Sequence, residues 1–385
     1  MSEDKERDRM GDHAKRRFGR RWLLLVGTVL AAILFCLAWK AGWWDFRSVD
    51  ERLAEIDAEL AIPDSENAAV YCRRFLTDPD NAAVLDGLSG FSPSAYVEPW
   101  ADSEHPELAA ELKKQQVFVQ ELLEISQMQK ARFPVCPGPS DGSWQMLPDM
   151  RRLTFVLSWA AANDLAEGRI DAAYDKYRCQ LRLARHLQQQ PATYYSSVGI
   201  AIEAVASGNI RRAAMRDGIT PGQLGSLEAI LEEPWNLNEV DAEITARVDR
   251  LIEEKERSQL PFATRFKEWL LDRRGRRKRE QRRRLILLRL EATRRATPIL
   301  IAIHRHKTRD GRWPETLGHI EPELPAQMLI DPQNNGSFVY KRQDSGFVFY
   351  SKGPNGADEG GSSSGPADDW PIWPLKIETV PAAGQ

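Results

Sequence analysis

From Trp22 to Trp39 the chain reads WLLLVGTVLAAILFCLAW, with no formally charged residue. As a helix this run rises about 27 Å, close to the roughly 30 Å of a bilayer's hydrocarbon core. Trp22 and Trp39 close its ends, and Trp43 and Trp44 follow, where indole rings favour the headgroup layer. Lys15, Arg16, Arg17, Arg20 and Arg21 precede it, with no comparable basic excess after it. The positive-inside rule places residues 1–21 in the cytoplasm as a basic tail, residues 22–39 in the inner membrane as a single transmembrane helix, and the rest outside. A cleaved signal peptide is the competing reading. Against it, the run exceeds an ordinary signal core and lacks a small-x-small cleavage pattern. Phe35 before Cys36 does not suit a lipobox, and the residues after the arginine pairs do not suit a twin-arginine signal.

The remainder has the composition of a folded body. Of 385 residues 42% are hydrophobic, enough for a sizeable core and too many for wholesale disorder. A mean hydropathy of -0.48 excludes a multi-span protein. Four cysteines exclude a disulfide-dense scaffold, and six histidines leave little room for a histidine-rich metal centre. Cys72, Cys136 and Cys179 fall outside the membrane on this topology, so at most one disulfide forms among them.

The pattern after the anchor is helical. Ser48 and Glu51 form a capping box ahead of a helix to about Leu60. Asp64 or Ser65 caps a second, ending at TDPDN, and residues 77–103 read as loop with short helical pieces. One long helix is expected from Pro106 to about Phe133. Further helices are expected at 147–166, 171–186, 194–215, after Thr220-Pro221, and at 238–257. The pair around A-E-G-R-I-D-A-A, residues 166–173, has the form of a tetratricopeptide hairpin, without a second copy at the 34-residue period. An ordinary helical hairpin in a bundle fits the same residues.

Charge is uneven along the chain. Residues 265–295 hold 14 Lys or Arg against 4 Asp or Glu, a net of +10, around the block RRGRRKREQRRR. Residues 1–21 have a net of +3, which leaves -16 for the rest of a chain whose total is -3. No zinc-finger spacing or aromatic RNA-binding motif accompanies the block, so the expectation is a solvated basic helix and no specific nucleic-acid partner.

The C-terminal third has its own order. A helix over 286–309 is followed by D-G-R-W-P-E-T-L, with Gly311 as a left-handed helix end. Leu324-Pro325 and Asp331-Pro332 come next. Phe338–Tyr340 and Phe347–Tyr350 then read as a β-hairpin around K-R-Q-D-S-G, with a glycine-rich acidic loop over 353–361.

This order resembles the head of type II secretion major pseudopilins. The resemblance implies a local fold of helix, small sheet and acidic calcium loop. Asp358, Glu359, Asp368 and Asp369 cluster among glycine and serine residues as candidate Ca2+ ligands, and the resemblance places Asp358 and Asp368 nearest the ligand positions. The leader, the processing site and an anchor helix joined directly to the head are missing from the pattern. Glu66–Tyr71 (E-N-A-A-V-Y), the A-x-G-x-x-x-A-A segment and Gly199–Ala204 (G-I-A-I-E-A) add a resemblance to single-span membrane proteins of planctomycete-like bacteria.

The expected fold is mainly α. It comprises the N-terminal transmembrane helix, an extracytoplasmic helical bundle over 45–285 with the tetratricopeptide-like hairpin, a long helix plus β-hairpin subdomain over 286–361, and a flexible tail over 362–385. No hydrolase, phosphate-loop or zinc-protease motif occurs, and no catalytic residue is assigned. His304 and His306, two apart on a helix, point to different faces and do not chelate together. These readings lead to a membrane-anchored binding or scaffold protein. Its partners are the lipid bilayer and a protein of the envelope. The alternatives are a secretion or pilus-assembly component and an envelope hydrolase without a recognisable motif.

Overall fold

The computed structural model describes residues 47–91, 98–135, 143–233, 242–260, 262–364 and 367–375. Residues 1–52 and 53–385 are separate compact units. The run 22–39 lies outside the described residues, and no helix among those described is long and apolar enough to cross a membrane.

The described chain is mainly helical, with eleven α-helices and a small antiparallel sheet at the C-terminus. The helices are α1 (Val49–Glu59), α2 (Ala68–Thr77), α3 (Pro79–Gly87), α4 (Pro106–Lys114), α5 (Gln116–Ser126), α6 (Ser143–Ala166), α7 (Ile170–Gln188), α8 (Thr193–Ala214), α9 (Pro221–Leu231), α10 (Ala242–Ser258) and α11 (Phe262–Asp310).

Local chemistry sets many of the boundaries. The capping box before α1 forms as expected: Glu51 N–H donates to Ser48 Oγ at 3.1 Å, and Ser48 N–H donates to Glu51 Oε2 at 2.7 Å. Thr220 and Gln223 form a second box around Pro221. The cap of α2 is Asn67 and not Asp64 or Ser65, which lie in a preceding 3-10 turn. Asn67 Oδ1 accepts from Ala69 N–H at 3.0 Å and from Arg132 N–H at 2.8 Å, so one side chain caps a helix and pins a distant strand-like segment. The single helix expected over 106–133 is two helices, broken at Gln115. Its N–H is shared between the carbonyls of Glu111 and Leu112. The helix expected from 286 is the last half of α11, which runs unbroken through residue 285 for 49 residues. It ends at Gly311, whose φ of 73° is strained for any residue with a Cβ.

Two apolar clusters share α11. Leu165, Tyr177, Ile210 and Leu227, from α6, α7, α8 and α9, enclose Ile301. Ile299, Leu300 and Ile303 face the other way, against Phe338, Phe347, Phe349 and Ile372 of the C-terminal region. Burial on both sides explains the run of fully buried positions along this stretch. A polar ladder crosses the bundle interior: Gln180 Nε2 donates to the Thr154 carbonyl at 2.7 Å and to Ser158 Oγ at 2.8 Å, and Asn209 Nδ2 donates to Ser158 Oγ at 2.8 Å. Satisfied networks of this kind fix one helix register.

The sheet has the order β1 (Val339–Gln343), β2 (Gly346–Ser351), β3 (Trp370–Trp373). Val339 pairs with Tyr350 and Gln343 with Gly346, so the turn is Asp344-Ser345 and Lys341–Gln343 belong to the strand. The third strand lies within the segment expected to be a flexible tail. It pairs Trp370 with Ser351, with a bulge between Phe349 and Tyr350.

Candidate functional site

The acidic loop folds back onto the sheet, closed by β3. Trp370 stacks under the Arg289 guanidinium at 4.7 Å, and its Nε1–H donates to Thr293 Oγ1 at 3.4 Å. The four carboxylates expected to share a calcium ion have separate tasks. Asp358 Oδ1 accepts from the Tyr350 hydroxyl at 2.5 Å and from Gly360 N–H at 3.0 Å, while Oδ2 accepts from Lys341 Nζ at 3.0 Å. The Tyr350 bond, then Lys341 and Gly360, hold this carboxyl down at about 2. Glu359 accepts from Asn355 Nδ2 at 2.7 Å and from Asp368 N–H at 3.1 Å. Asp369 Oδ2 accepts from the N–H groups of Glu359 at 2.9 Å and Gly361 at 2.7 Å, and burial raises its pKa.

Asp368 Oδ1 and Asp369 Oδ1 are buried without a hydrogen-bond partner. Among the described residues, no three Asp, Glu, His or Cys side chains converge as a metal cluster. The expected four-carboxylate set is therefore not assembled. Asp358 and Glu359 brace the loop through their hydrogen bonds.

The other singled-out residues are structural. His304 Nδ1 meets the Ala214 carbonyl, and His306 Nε2 lies 3.0 Å from the Asp310 carboxylate, so the two rings serve different neighbours, both buried. Cys72 and Cys179 are buried free thiols, pushed up to about 12 by burial, and Cys136 lies outside the described residues. Arg282, Arg283 and Arg284 of the basic block are exposed.

A cleft that the sequence did not announce has the stronger claim as a site. It opens between α7, α8, α9 and α11 with a volume of about 920 Å3. The residues expected to form a helical hairpin are the packed pair α6–α7, and α7 forms one wall. The floor comes from three helices. Arg294 Nε donates to Glu203 Oε1 at 2.6 Å, and its Nη2 donates to Glu203 Oε2 at 2.8 Å and to Gln188 Oε1 at 2.9 Å. Gln188 Nε2 completes the ring to Glu203 Oε2 at 2.6 Å. Burial lowers the Arg294 pKa, but the bonds and charge of Glu203 outweigh it and the net shift is upward.

Glu203 lies in the G-I-A-I-E-A segment, and Gly199 of the same segment explains how α7 and α8 approach so closely. A Cβ at 199 would lie 2.6 Å from the Ala184 carbonyl oxygen and 2.8 Å from Gln188 Cγ.

The cleft lining carries both signs of charge, with Arg185, Arg283 and Arg294 beside five glutamates. Glu228 pairs with Arg305 at 2.5 Å, and Glu233 pairs with Arg182. Glu232 is exposed, with no ion-pair partner among the described residues. On the α7 side, Gln189 Nε2 is buried and finds no acceptor among the described residues. Leu231, Pro298, Leu324 and Met328 add apolar surface. This mixture of apolar lining and convergent polar groups is that of a ligand-binding cleft.

The chain matches no protein-family model, no curated protein and no solved structure.

Proposed function

We propose that this chain is a single-pass inner-membrane protein whose helical body, held outside the cytoplasm, binds a protein partner as a scaffold. The uncharged run 22–39 and its basic N-terminal flank support the anchor. The observation that carries the binding role is the 920 Å3 cleft, walled by the tetratricopeptide-like hairpin's second helix and floored by the Glu203–Arg294–Gln188 ring. The ring ties three helices together around a concave surface, so the cleft is held open by hydrogen bonds between them and need not form on binding. A photo-crosslinking residue placed at 232 in living cells tests this. The expected result is a discrete polypeptide adduct from 232 and none from 86, an exposed position on α3. Equal adducts from both positions, or none from 232, would overturn the reading.

A second reading, a secretion or pilus-assembly component, is favoured by one observation: the C-terminal sheet packs on the helix immediately before it, with Phe347 and Phe349 against Ile299, Leu300 and Ile303. It calls for self-association through the sheet. A purified chain that stays monomeric at high concentration, and does not co-assemble in cells, would count against it.

A further inference from the structure

We infer that the exposed face of α11 over residues 282–287 lies against an anionic bilayer surface, a membrane contact separate from the run 22–39. Two observations point to this partner. The first is charge. Residues 265–295 carry a net of +10. Within that block Arg282 and Arg284 are exposed and make no ion pair among the described residues, and Arg283 is exposed with its nearest carboxylate, Asp249, 3.9 Å away. Cations that the fold leaves without counter-charges favour a dense anionic surface, and each arginine near such a surface strengthens binding about fivefold.

The second observation is where the apolar side chains lie. Four large apolar side chains are exposed among the described residues, and two of them, Ile286 (42%) and Leu287 (43%), follow the arginines directly. A third, Ile330, is tied to the same helix by its carbonyl, which accepts from Arg295 Nη1 at 3.0 Å. At about 100° per residue, Arg282, Ile286, Arg283, Leu287 and Arg284 follow one another around an arc of roughly 200°, cation and apolar group in alternation. Leu285 and Leu288, on the remaining arc, are half-buried. This alternation suits a lipid headgroup layer: guanidinium groups reach phosphates while the apolar tips enter the acyl boundary. Nucleic acid offers the phosphates without an apolar layer beneath them. Earlier in the same unbroken helix the sequence carries Phe262, Phe266, Trp269, Leu270 and Leu271 among its basic residues, a composition of the same kind.

The two contributions respond differently to salt. Screening weakens the arginine attraction as ionic strength rises, whereas burial of Ile286 and Leu287 is not screened. The contact therefore persists at physiological salt, where charge alone releases a polyanion. Arg282→Gln with Arg284→Gln removes charge, and Ile286→Ser removes apolar area. All three positions are exposed, so the melting temperature should stay close to that of the unaltered chain. The inference does not rest on the scaffold reading, because the face acts whether or not the cleft holds a partner.

The test uses the full chain in nanodiscs of phosphatidylcholine, alone or mixed with phosphatidylglycerol. A dansyl amino acid is placed at 287 or, as a control, at 117, an exposed apolar position on α5, and is read by its emission and by quenching from brominated acyl chains. The expected result at physiological salt is a blue-shifted emission from 287 in the mixed discs, quenched roughly threefold more than in phosphatidylcholine alone, and no such difference at 117. The arginine double variant and Ile286→Ser should each remove most of that difference. Equal signals from 287 in the two lipids, equal signals from 287 and 117, or no quenching in the mixed discs would overturn the inference. So would loss of the signal to an added duplex oligonucleotide at physiological salt, which would mark the face as a polyanion site. Retention of the chain in the discs is scored separately: a chain retained without a signal from 287 keeps its anchor and loses this surface.

Discussion

At the scale of single residues, His186 couples stability to pH. Its ring is fully buried, with Nε2–H donating to the Met128 carbonyl at 2.6 Å, and burial lowers its pKa from the usual 6.5 to about 4. In the unfolded chain the ring takes a proton near pH 6.5, whereas in the folded chain it resists until about pH 4. The unfolded state therefore binds more protons across that window, and stability falls as pH falls through it. The contribution is present in full above pH 6.5 and amounts to about 3 kcal/mol lost by pH 4. Denaturant melts at pH 7 and pH 4.5 measure it. His186→Gln should flatten the slope between the two pH values, and an unchanged slope would sink the assignment.

Gly199 and Gly208, both in α8, make opposite predictions. Gly199→Ala drives a methyl group into the α7 backbone and should cost about 1–3 kcal/mol. A Cβ at Gly208 meets only Arg212 Nη1, at 3.6 Å, so Gly208→Ala should stabilise by roughly 0.5–1 kcal/mol through helix propensity. Thermal melts of the two variants that shift in the same direction would contradict the packing described here.

At the scale of elements, α11 carries contrasting halves. From Leu290 onward it is wedged between two apolar clusters, while Arg282, Arg283 and Arg284 stand in solvent. Screening acts within roughly 8 Å at physiological salt, so the exposed arginines favour polyanions only at low salt. Duplex and single-stranded oligonucleotides should bind without sequence preference, with affinity falling at least a hundredfold from about 50 to about 200 mM salt. Tight, sequence-selective binding at physiological salt would show that the basic block is a recognition element.

Elements whose boundaries rest on local chemistry were legible in the sequence: the box at Ser48 and Glu51, the Thr220-Pro221 start, the Gly311 stop. The break at Gln115 was not, because no Gly or Pro marks it. The third strand was also hidden. W-P-I-W is too short and too proline-marked to read as a strand until β2 supplies its partner. Whether the acidic loop folds back onto the Phe347–Tyr350 strand was open in the sequence, because the strand that closes it is the hidden β3. The protein donors to its carboxylates were not legible, because Tyr350, Lys341 and Asn355 lie outside the acidic run. The cleft was illegible for a simpler reason. Gln188, Glu203 and Arg294 come from helices far apart in sequence, and an unpartnered buried amide such as that of Gln189 has no sequence signature.

At the scale of the whole molecule, one anchor would hold a helical body whose cleft and C-terminal sheet are built around a single long helix. α11 contributes Arg294 to the cleft floor and Ile299, Leu300 and Ile303 to the sheet's core, so the two regions share a rigid support within residues 53–385. A partner gripped in the cleft would thereby be held at the membrane surface on the outer side. The arrangement stands or falls on the topology read from residues 15–39. Spheroplasts expressing the chain with a different tag at each end, treated with protease, test it directly. The account predicts that the C-terminal tag is digested while the N-terminal tag survives on a membrane-bound fragment. A protected C-terminal tag, or an N-terminal tag already lost to processing before protease is added, would contradict it.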